Sequence, residues 1–345
     1  MIGSEHRLDG YLGKCKHRFC MRPSQTPTYY NLSKYLQEQG WVSTRFNWLA
    51  NFSEQNFQFD EIAALQLEYK HLLAQLVNEY CPDVMPETYL IDDDHWPLVL
   101  KNLTDNYYRD GHQTVDDIDK LRWILKPSKL NNGQHIKIFQ NIHDIERHYL
   151  SSNRLGGEHV LQRYIIQPHL LKGHKYSIRM FVIVTNNRGV YLYPQGYINV
   201  SLTPYQPMNF NDLNIHLTNE HLKEDEGNVV QIPTQRLEVF HLFYPQIKSI
   251  LSTLFNALQK KQPQAFTDSK KPTFAIYGFD FMVNENMRVW LLEANHGPCF
   301  PIEDDHPLQP YLYRDFWKAF INDFVLPVVK KQKRAQSQLF EKIEV

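Results

Sequence analysis

Three oxygen-bearing side chains, Asp280, Glu293 and Asn295, stand in the segment Tyr-Gly-Phe-Asp-Phe-Met-Val-Asn-Glu-Asn-Met-Arg-Val-Trp-Leu-Leu-Glu-Ala-Asn, residues 277–295. Its pattern reads as two apolar strands joined by a polar turn. Asp, Asn and Glu pack poorly on a half-buried pleated surface, so three of them here point to a task other than folding. They supply hard oxygen ligands, a set that suits Mg²⁺ bound together with nucleotide phosphates. Alternation puts Glu293 and Asn295 on one strand face. A turn centred on Glu285-Asn286 pairs Asp280 with Leu291 and leaves Glu293 diagonally across, about 7–8 Å away, within reach of side chains. An odd turn would throw Asp280 to the opposite face. The metal reading therefore requires an even turn or a bulge. The plainer reading is a hairpin with polar edge decoration; it explains one Asp better than three converging oxygens.

Cations form the second set. Lys126 closes a strand and opens a loop in which Ser128, Asn131, Asn132 and Gly133 can turn backbone N–H groups toward phosphate. Farther on, Lys175, Ser177 and Arg179 share one face of a strand and Tyr176, Ile178 and Met180 the other. Two cations on that face are costly unless anions lie above them. Those anions are either ligand phosphates or the protein's own carboxylates, and these residues alone favour neither. Neither G-x-x-x-x-G-K-[ST] nor G-x-G-x-x-G occurs, so a bound nucleotide is not held by either loop.

The elements that must position these groups follow from periodicity. A helix is expected from Asp60, its cap, to Tyr80, with Ile62, Leu65, Tyr69, Leu72, Leu73, Leu76 and Tyr80 on one stripe, ended by Cys81-Pro82. Strands are expected at 87–91, 122–126, 136–139, 160–166, 175–185, 191–193 and 196–200. A second amphipathic helix spans Tyr244 to Lys260. Leu312 to Val329 reads as helical up to Pro327, and 330–345 as a charged, solvated terminal helix. Hairpins mixed with helices favour an α+β fold over a doubly wound sheet.

Bulk properties bound the rest. The 345 residues, 41.0 kDa, carry 42% hydrophobic and 22% charged residues, as soluble globular proteins do. A net charge of −1 gives no global attraction to nucleic acid or membrane, and neither is expected as a partner. Four cysteines, Cys15, Cys20, Cys81 and Cys299, lack framework spacing, and the start lacks an apolar signal core. A cytoplasmic setting is expected. Cys15, His17 and Cys20 lack a second ligand pair at zinc-finger spacing and read as ordinary side chains in a basic segment.

In order along the chain, Lys126 with its loop, Gln162-Arg163-Tyr164-Ile165, His174-Lys-Tyr-Ser-Ile-Arg179, His216-Leu-Thr-Asn219 and the Asp280/Glu293/Asn295 hairpin resemble the tubulin–tyrosine ligase family. That family comprises the tyrosine ligase and its glutamylase and glycylase relatives, with the ATP-grasp fold. The resemblance runs from about Lys70 to Asn295 and is strongest in Val160–Val184 and Thr273–Asn295. It implies an N-terminal lobe (1–80), a central ATP-grasp lobe (81–158), a C-terminal ATP-grasp lobe (159–330) and a polar tail (331–345). It further implies ATP and Mg as cofactors, and a monomer that joins a free amino acid to a protein or peptide carboxylate, such as a tubulin-like tail. By resemblance, Lys70 lies on an ATP-contacting helix, and Lys126 and Lys175 are phosphate- and nucleotide-binding lysines. Gln162 to Ile165 match the hinge whose backbone meets adenine, and Thr218 and Asn219 a pair near the nucleotide and acceptor. Asp280, Glu293 and Asn295 match the metal ligands, and Arg179, with Lys126, the catalytic cations. Three departures stand out. Ser177 replaces an aspartate beside the nucleotide, Asn199 an arginine that engages the amino acid, and His135 a loop glycine. They keep two alternatives open: a silent nucleotide-binding member, or a ligase of small molecules.

Overall fold

The computed structural model describes residues 17–109, 122–131, 133–187, 189–210, 212–219, 221–223, 226–267, 271–331 and 339–345. Near the start, β1 (Arg18–Cys20) lies parallel to β2 (Val42–Ser43) and β3 (Phe52–Ser53), with α1 (Pro27–Glu38) between them in sequence. Thr26 caps α1, its hydroxyl accepting from Tyr29 N–H at 3.1 Å, and Pro27 opens the first turn. The helix expected from 60 to 80 is two helices, α2 (Glu61–Glu68) and α3 (Lys70–Tyr80). The chain breaks at Tyr69, whose backbone is extended (ψ 122°). The break re-aims the apolar stripe: Leu67, Leu73, Leu76 and Val77 are buried, whereas Ile62 and Tyr80 are exposed. It also makes Lys70 the first residue of a helix that points at the site.

A four-stranded antiparallel sheet follows, in the order β4 (Thr88–Ile91), β7 (His159–Arg163), β5 (Trp123–Pro127), β6 (Lys137–Phe139). The expected lobe boundary after residue 158 falls just before β7, which pairs on both sides within this sheet.

The larger sheet has seven strands. β8 (Leu170–Leu171) flanks β9 (His174–Thr185); β9 pairs with β10 (Val190–Pro204) on one side. The two short strands expected at 191–193 and 196–200 are this single strand, bent where its register shifts between Leu192 and Gly196. A small hairpin of β11 (His221–Lys223) and β12 (Glu226–Gly227) precedes β13 (Val229–Pro233), which pairs with β10. β14 (Phe274–Val283) lies on the far side of β9, and β15 (Val289–His296) beyond it. β16 (Glu341–Ile343) adds to β10, with Phe340 and Ile343 buried, so the expected solvated terminal helix ends in a strand; 332–338 lie outside the described residues.

Each face of this sheet is covered by different elements. On β9, Tyr176, Ile178, Met180, Val182 and Val184 pack with α2, α3 and the Phe240–Lys261 helix. Phe181 and Ile183 face the other way, onto α1, β1, β3 and a continuous helical run from Gln309 to Val329. That run passes through Pro327, which lacks the N–H for the ladder, and ends at Val329, two residues beyond it. Residues 17–80 thus contribute to both layers. Lys175, Ser177 and Arg179 continue the second face past the end of its apolar cover. There the face looks across a cleft at the four-stranded sheet.

Candidate nucleotide and metal site

The cleft, about 330 Å³, is lined by residues of both sheets. Its anionic wall depends on a local irregularity. The β14–β15 loop spans the five residues 284–288, an odd length, and Phe281 rather than Asp280 faces Leu291. The register then shifts: Leu292 is the extra residue, and Asp280 stands directly opposite Glu293. Without the bulge Glu293 would follow Val289 and Leu291 into the apolar layer under the Phe240–Lys261 helix. With it, Asp280, Glu293 and Asn295 share the cleft face. Asn295 Nδ2 donates to Asp280 Oδ2 at 3.1 Å and lies 3.4 Å from Glu293 Oε1.

Arg179 is the cross-strand neighbour of Asp280 and forks onto it, with Nη2 2.6 Å from Oδ2 and Nε on Oδ1. Of the two alternatives for the strand's cations, the protein carboxylate therefore holds for Arg179. Lys175 is held differently. Its Nζ donates to Tyr164 Oη and to the His216 carbonyl, both at 2.8 Å, and lies 4.4 Å from the Tyr164 ring centre. Tyr164 Oη in turn meets His216 Nδ1 at 2.8 Å, while His216 Nε2 meets the Asn209 carbonyl at 2.7 Å. A carbonyl only accepts, so Nε2 carries the proton and Nδ1 accepts from the tyrosine. Two of the three ammonium N–H groups are thus committed, and the third is left for the cleft.

Lys126 reaches out of the four-stranded sheet, donating to Gln162 Oε1 at 2.8 Å; Gln162 Nε2 donates to Thr88 Oγ1 at 3.0 Å. The Gln162 side chain thus orients a lysine, a role beyond the backbone contact expected of it. Arg163 and Tyr164 give their N–H groups to Glu87 and Arg122 carbonyls. The N–H of Ile165 bonds none of the described residues and lines the cleft. The Arg163 side chain is half-exposed beside Glu87. Lys70 Nζ donates to the Leu130 carbonyl at 2.9 Å and stands 3.6 Å from Glu293 Oε2, tying the loop after β5 to the anionic wall. Ser128 is not free for phosphate as expected: its N–H goes to the Glu158 carbonyl, and its hydroxyl caps α3 through His71 N–H at 3.1 Å. His135, where the resemblance implies glycine, has φ +56°, a left-handed backbone that favours glycine.

Thr218 donates to Ser177 Oγ at 2.9 Å, and Asn199, beside Ser177, accepts from Gln231 Nε2 at 3.2 Å. Thr218, Asn219, Ser177 and Asn199 all line the cleft. Cys15 lies outside the described residues; Cys20, Cys81 and Cys299 are free thiols, and His17 rests against the Trp41 ring.

The electrostatics follow from burial and pairing. Burial pushes the Asp280 carboxyl up, Arg179 pulls it back and Glu293 adds to the rise, leaving it at about 6. Burial acts the same way on Glu293, but Lys70 and Lys126 outweigh it and hold that carboxyl at about 2. Burial lowers Lys126 to about 8, and burial with the charge of Lys126 lowers Lys175 to about 7. Burial also works against the Arg179 charge, yet Asp280 keeps it firmly protonated. Among the described residues no group of three His, Cys, Asp or Glu is placed to hold a metal. Two carboxylates and an amide make a partial shell, which suits a cation whose other ligands are phosphate oxygens and water.

Gln231, Gly278 and the Tyr164–His216 hold on Lys175 were not anticipated from sequence. They are visible only once strands pair, because all but one of the partners, Tyr164 of Lys175, lie dozens of residues away. A Cβ at Gly278 would stand 2.8 Å from Arg179 Cδ and 3.1 Å from Pro298 Cβ, so glycine is what lets the guanidinium lie flat across β14.

Residues 61–334 match the sequence model of the Tubulin-tyrosine ligase family. Tubulin glycylase 3C of Tetrahymena thermophila is 25% identical over 70% of this chain and 23% of its own length. The probable tubulin polyglutamylase TTLL2 of Mus musculus is 24% identical over 68% of this chain and 44% of its own. The inactive polyglycylase TTLL10 of Homo sapiens is 25% identical over 63% and 35%. The chain spans less than half the length of each of these relatives. With 274 consecutive positions matched, the Asp280/Glu293/Asn295 hairpin and the lysines facing it all inside them, the chain belongs to the tubulin–tyrosine ligase family.

Proposed function

We propose that this chain is an ATP-dependent carboxylate–amine ligase of ATP-grasp architecture, the two antiparallel sheets being the halves that close on the nucleotide. The observation that carries the reading is a cleft with Lys126, Lys175 and Arg179 facing Asp280, Glu293 and Asn295. Mg²⁺ bound through those three residues would neutralise charge on the nucleotide phosphates. The chain's own side chains do the rest. Lys126 and the third N–H of Lys175 bind phosphate oxygens, and Ile165 N–H offers a donor to the base. Arg179, released from Asp280, stabilises oxygens where charge develops. A substrate carboxylate takes the γ-phosphoryl group and ADP leaves; an amine then displaces phosphate from the acyl phosphate to form the amide. The cleft walls keep that intermediate from water.

The relatives' names support a protein or peptide carboxylate as acceptor, such as a tubulin tail, with a free amino acid as the family's amine. Among the described residues no helix is long and apolar enough to cross a membrane. We place the activity in the cytoplasm, carried by a monomer. The test is ADP and amide formation with MgATP, a glutamate-rich peptide and an amine panel. Glu293→Gln, which removes charge with little change in volume, should lose more than 100-fold in turnover while the protein stays folded, at a melting temperature lowered by the lost attraction to Lys70 and Lys126. A Glu293→Gln protein as active as wild type would end the metal assignment. The Arg179–Asp280 fork also favours a second reading, a nucleotide-binding member without transfer. Tight nucleotide binding with no turnover across the panel would establish it.

A further inference from the structure

The larger sheet has two outer strands, β15 and β13, and they differ in cover. α2 packs along β15. β13 pairs with β10 on its inner side, and no described strand meets its outer side. The N–H of Leu202 donates to the Asn228 carbonyl at 3.0 Å, and this fixes the alternation along the pair. Val230 and Ile232 bond to β10 in the same way, so the N–H and C=O groups of Val229 and Gln231 point outward. These four backbone groups bond nothing among the described residues.

Folded sheets commonly blunt such an edge with a lysine, a bulge, a proline or a covering element. β13 keeps a regular register over its five residues and has a proline only at its last position. Val230, 46% exposed, lies diagonal to Leu202, 56% exposed, on one face of the β10–β13 pair. An added strand would find apolar surface there for its alternate side chains.

The edge is continuous with the cleft. Gln231 donates to Asn199, which lines it. Pro233, Tyr197, Arg179 and Asp280 form one row across four strands. At that row a strand added to β13 lies three strand spacings from Arg179, about 14 Å, a gap that about five extended residues cross. Charge sets its polarity. Arg236, just past the end of β13, is exposed, lies 5.5 Å from the Tyr311 ring centre and pairs with no carboxylate among the described residues. The segment before β13 reads Lys223-Glu-Asp-Glu226. Carboxylates on an added chain therefore belong at the Pro233 end, in line with Arg179.

We propose that β13 is the docking strand for an extended acidic segment of the acceptor protein, which joins the sheet through backbone hydrogen bonds and leaves a carboxylate beyond it free to enter the cleft. The inference rests on the ligase reading above and makes its acceptor an unfolded stretch of chain, not a small molecule.

The experiment is fluorescence anisotropy of a dye-labelled, glutamate-rich peptide of about ten residues, titrated with the full chain and a non-hydrolysable ATP analogue. N-methylating every second backbone nitrogen leaves the peptide one intact edge and should change affinity less than about 2-fold; methylating every nitrogen keeps the charge and should weaken binding about 10-fold or more. Val229→Pro removes one outward N–H and no bond to β10, and should weaken the peptide about 5-fold while the analogue binds as before. The methylated peptides report even where Val229→Pro fails to fold. A fully methylated peptide that binds as well as its parent would overturn the docking strand, as would a Val229→Pro protein of unchanged peptide affinity. So would a dimer in sedimentation that Val229→Pro dissociates, since the edge would then serve a second copy. Amide formation on the peptide by a chain indifferent to methylation overturns the docking strand alone. Methylation-sensitive binding without turnover overturns the ligase reading and leaves the docking strand standing.

Discussion

Arg179 and Gly278 meet across one strand boundary, and each gives meaning to the other. The guanidinium reaches Asp280 because nothing projects from Gly278. Gly278→Ala should push Arg179 off Asp280 and lower kcat about 10-fold or more, with little loss of folding, since the clash falls on a side chain. Arg179→Ala should lower kcat by about 10²–10³-fold, the range for removing one charge-stabilising donor, while the affinity for ATP changes only a few-fold. Steady-state kinetics separate the outcomes: a raised KM with an unchanged kcat would make Arg179 a ground-state binder. Residue types alone revealed both members of the Arg179–Asp280 pair. Their mutual contact was hidden because it depends on β9 and β14 being neighbours, and 101 residues separate them.

At the scale of elements, the bulge at Leu292 decides which face of β15 carries its carboxylate. The sequence names the three side chains that share the cleft face and even the condition for it, an even turn or a bulge, but not which one. Loop parity and bulge position are settled by how the apolar residues 289 and 291 dock under the Phe240–Lys261 helix. Deleting Leu292 should therefore do little: the ladder becomes regular and Glu293 still meets Asp280. Nucleotide binding by calorimetry should stay within about 10-fold, and its complete loss would show that Leu292 is not the spare residue. The loop after β5 offers the reverse case. His135 holds a left-handed backbone that costs a non-glycine residue about 1–2 kcal/mol. His135→Gly, weighed against glycine's greater unfolded-state freedom of about 0.5–1 kcal/mol, should raise stability slightly in denaturant titration. The split between α2 and α3 escaped the periodic pattern because Tyr69 interrupts the backbone without interrupting the apolar spacing.

Across the whole molecule, both sheets commit buried cations to one cleft, and that shows in how stability and binding respond to pH. The folded Lys175 sits near 7, well below an unfolded lysine, so the unfolded chain holds more protons between those values. The contribution of Lys175 to stability therefore rises with pH from about 7 to about 10.5. Nucleotide binding has the opposite sign: phosphate favours the charged ammonium, so affinity should fall as pH rises above 7. Lys175→Met should be more stable than wild type at pH 7, with the difference shrinking by pH 10, and should lose this part of the affinity profile. Equal pH slopes for the two proteins, in melting and in titration, would remove Lys175 from the phosphate site. The mixed α+β character and the central strands were legible because strand and helix periods differ sharply. The pairing of β7 within the four-stranded sheet and of β16 on β10 was not, since edge and centre are properties of the assembled sheet.

The fork of Arg179 on Asp280 makes the protein supply its own occupant for the proposed cation position. A tethered guanidinium competes there at a high effective concentration, so a lone divalent ion meets an antagonist already in place. Phosphate changes the contest by giving Arg179 another anion to hold. Ion and nucleotide should then promote each other's binding, by equal factors in both directions as linkage requires. Manganese titrated into wild type without nucleotide should bind weakly and gain affinity with the ATP analogue. Arg179→Ala should bind the ion more tightly on its own and gain less. Order of loading would then be written into a single side chain.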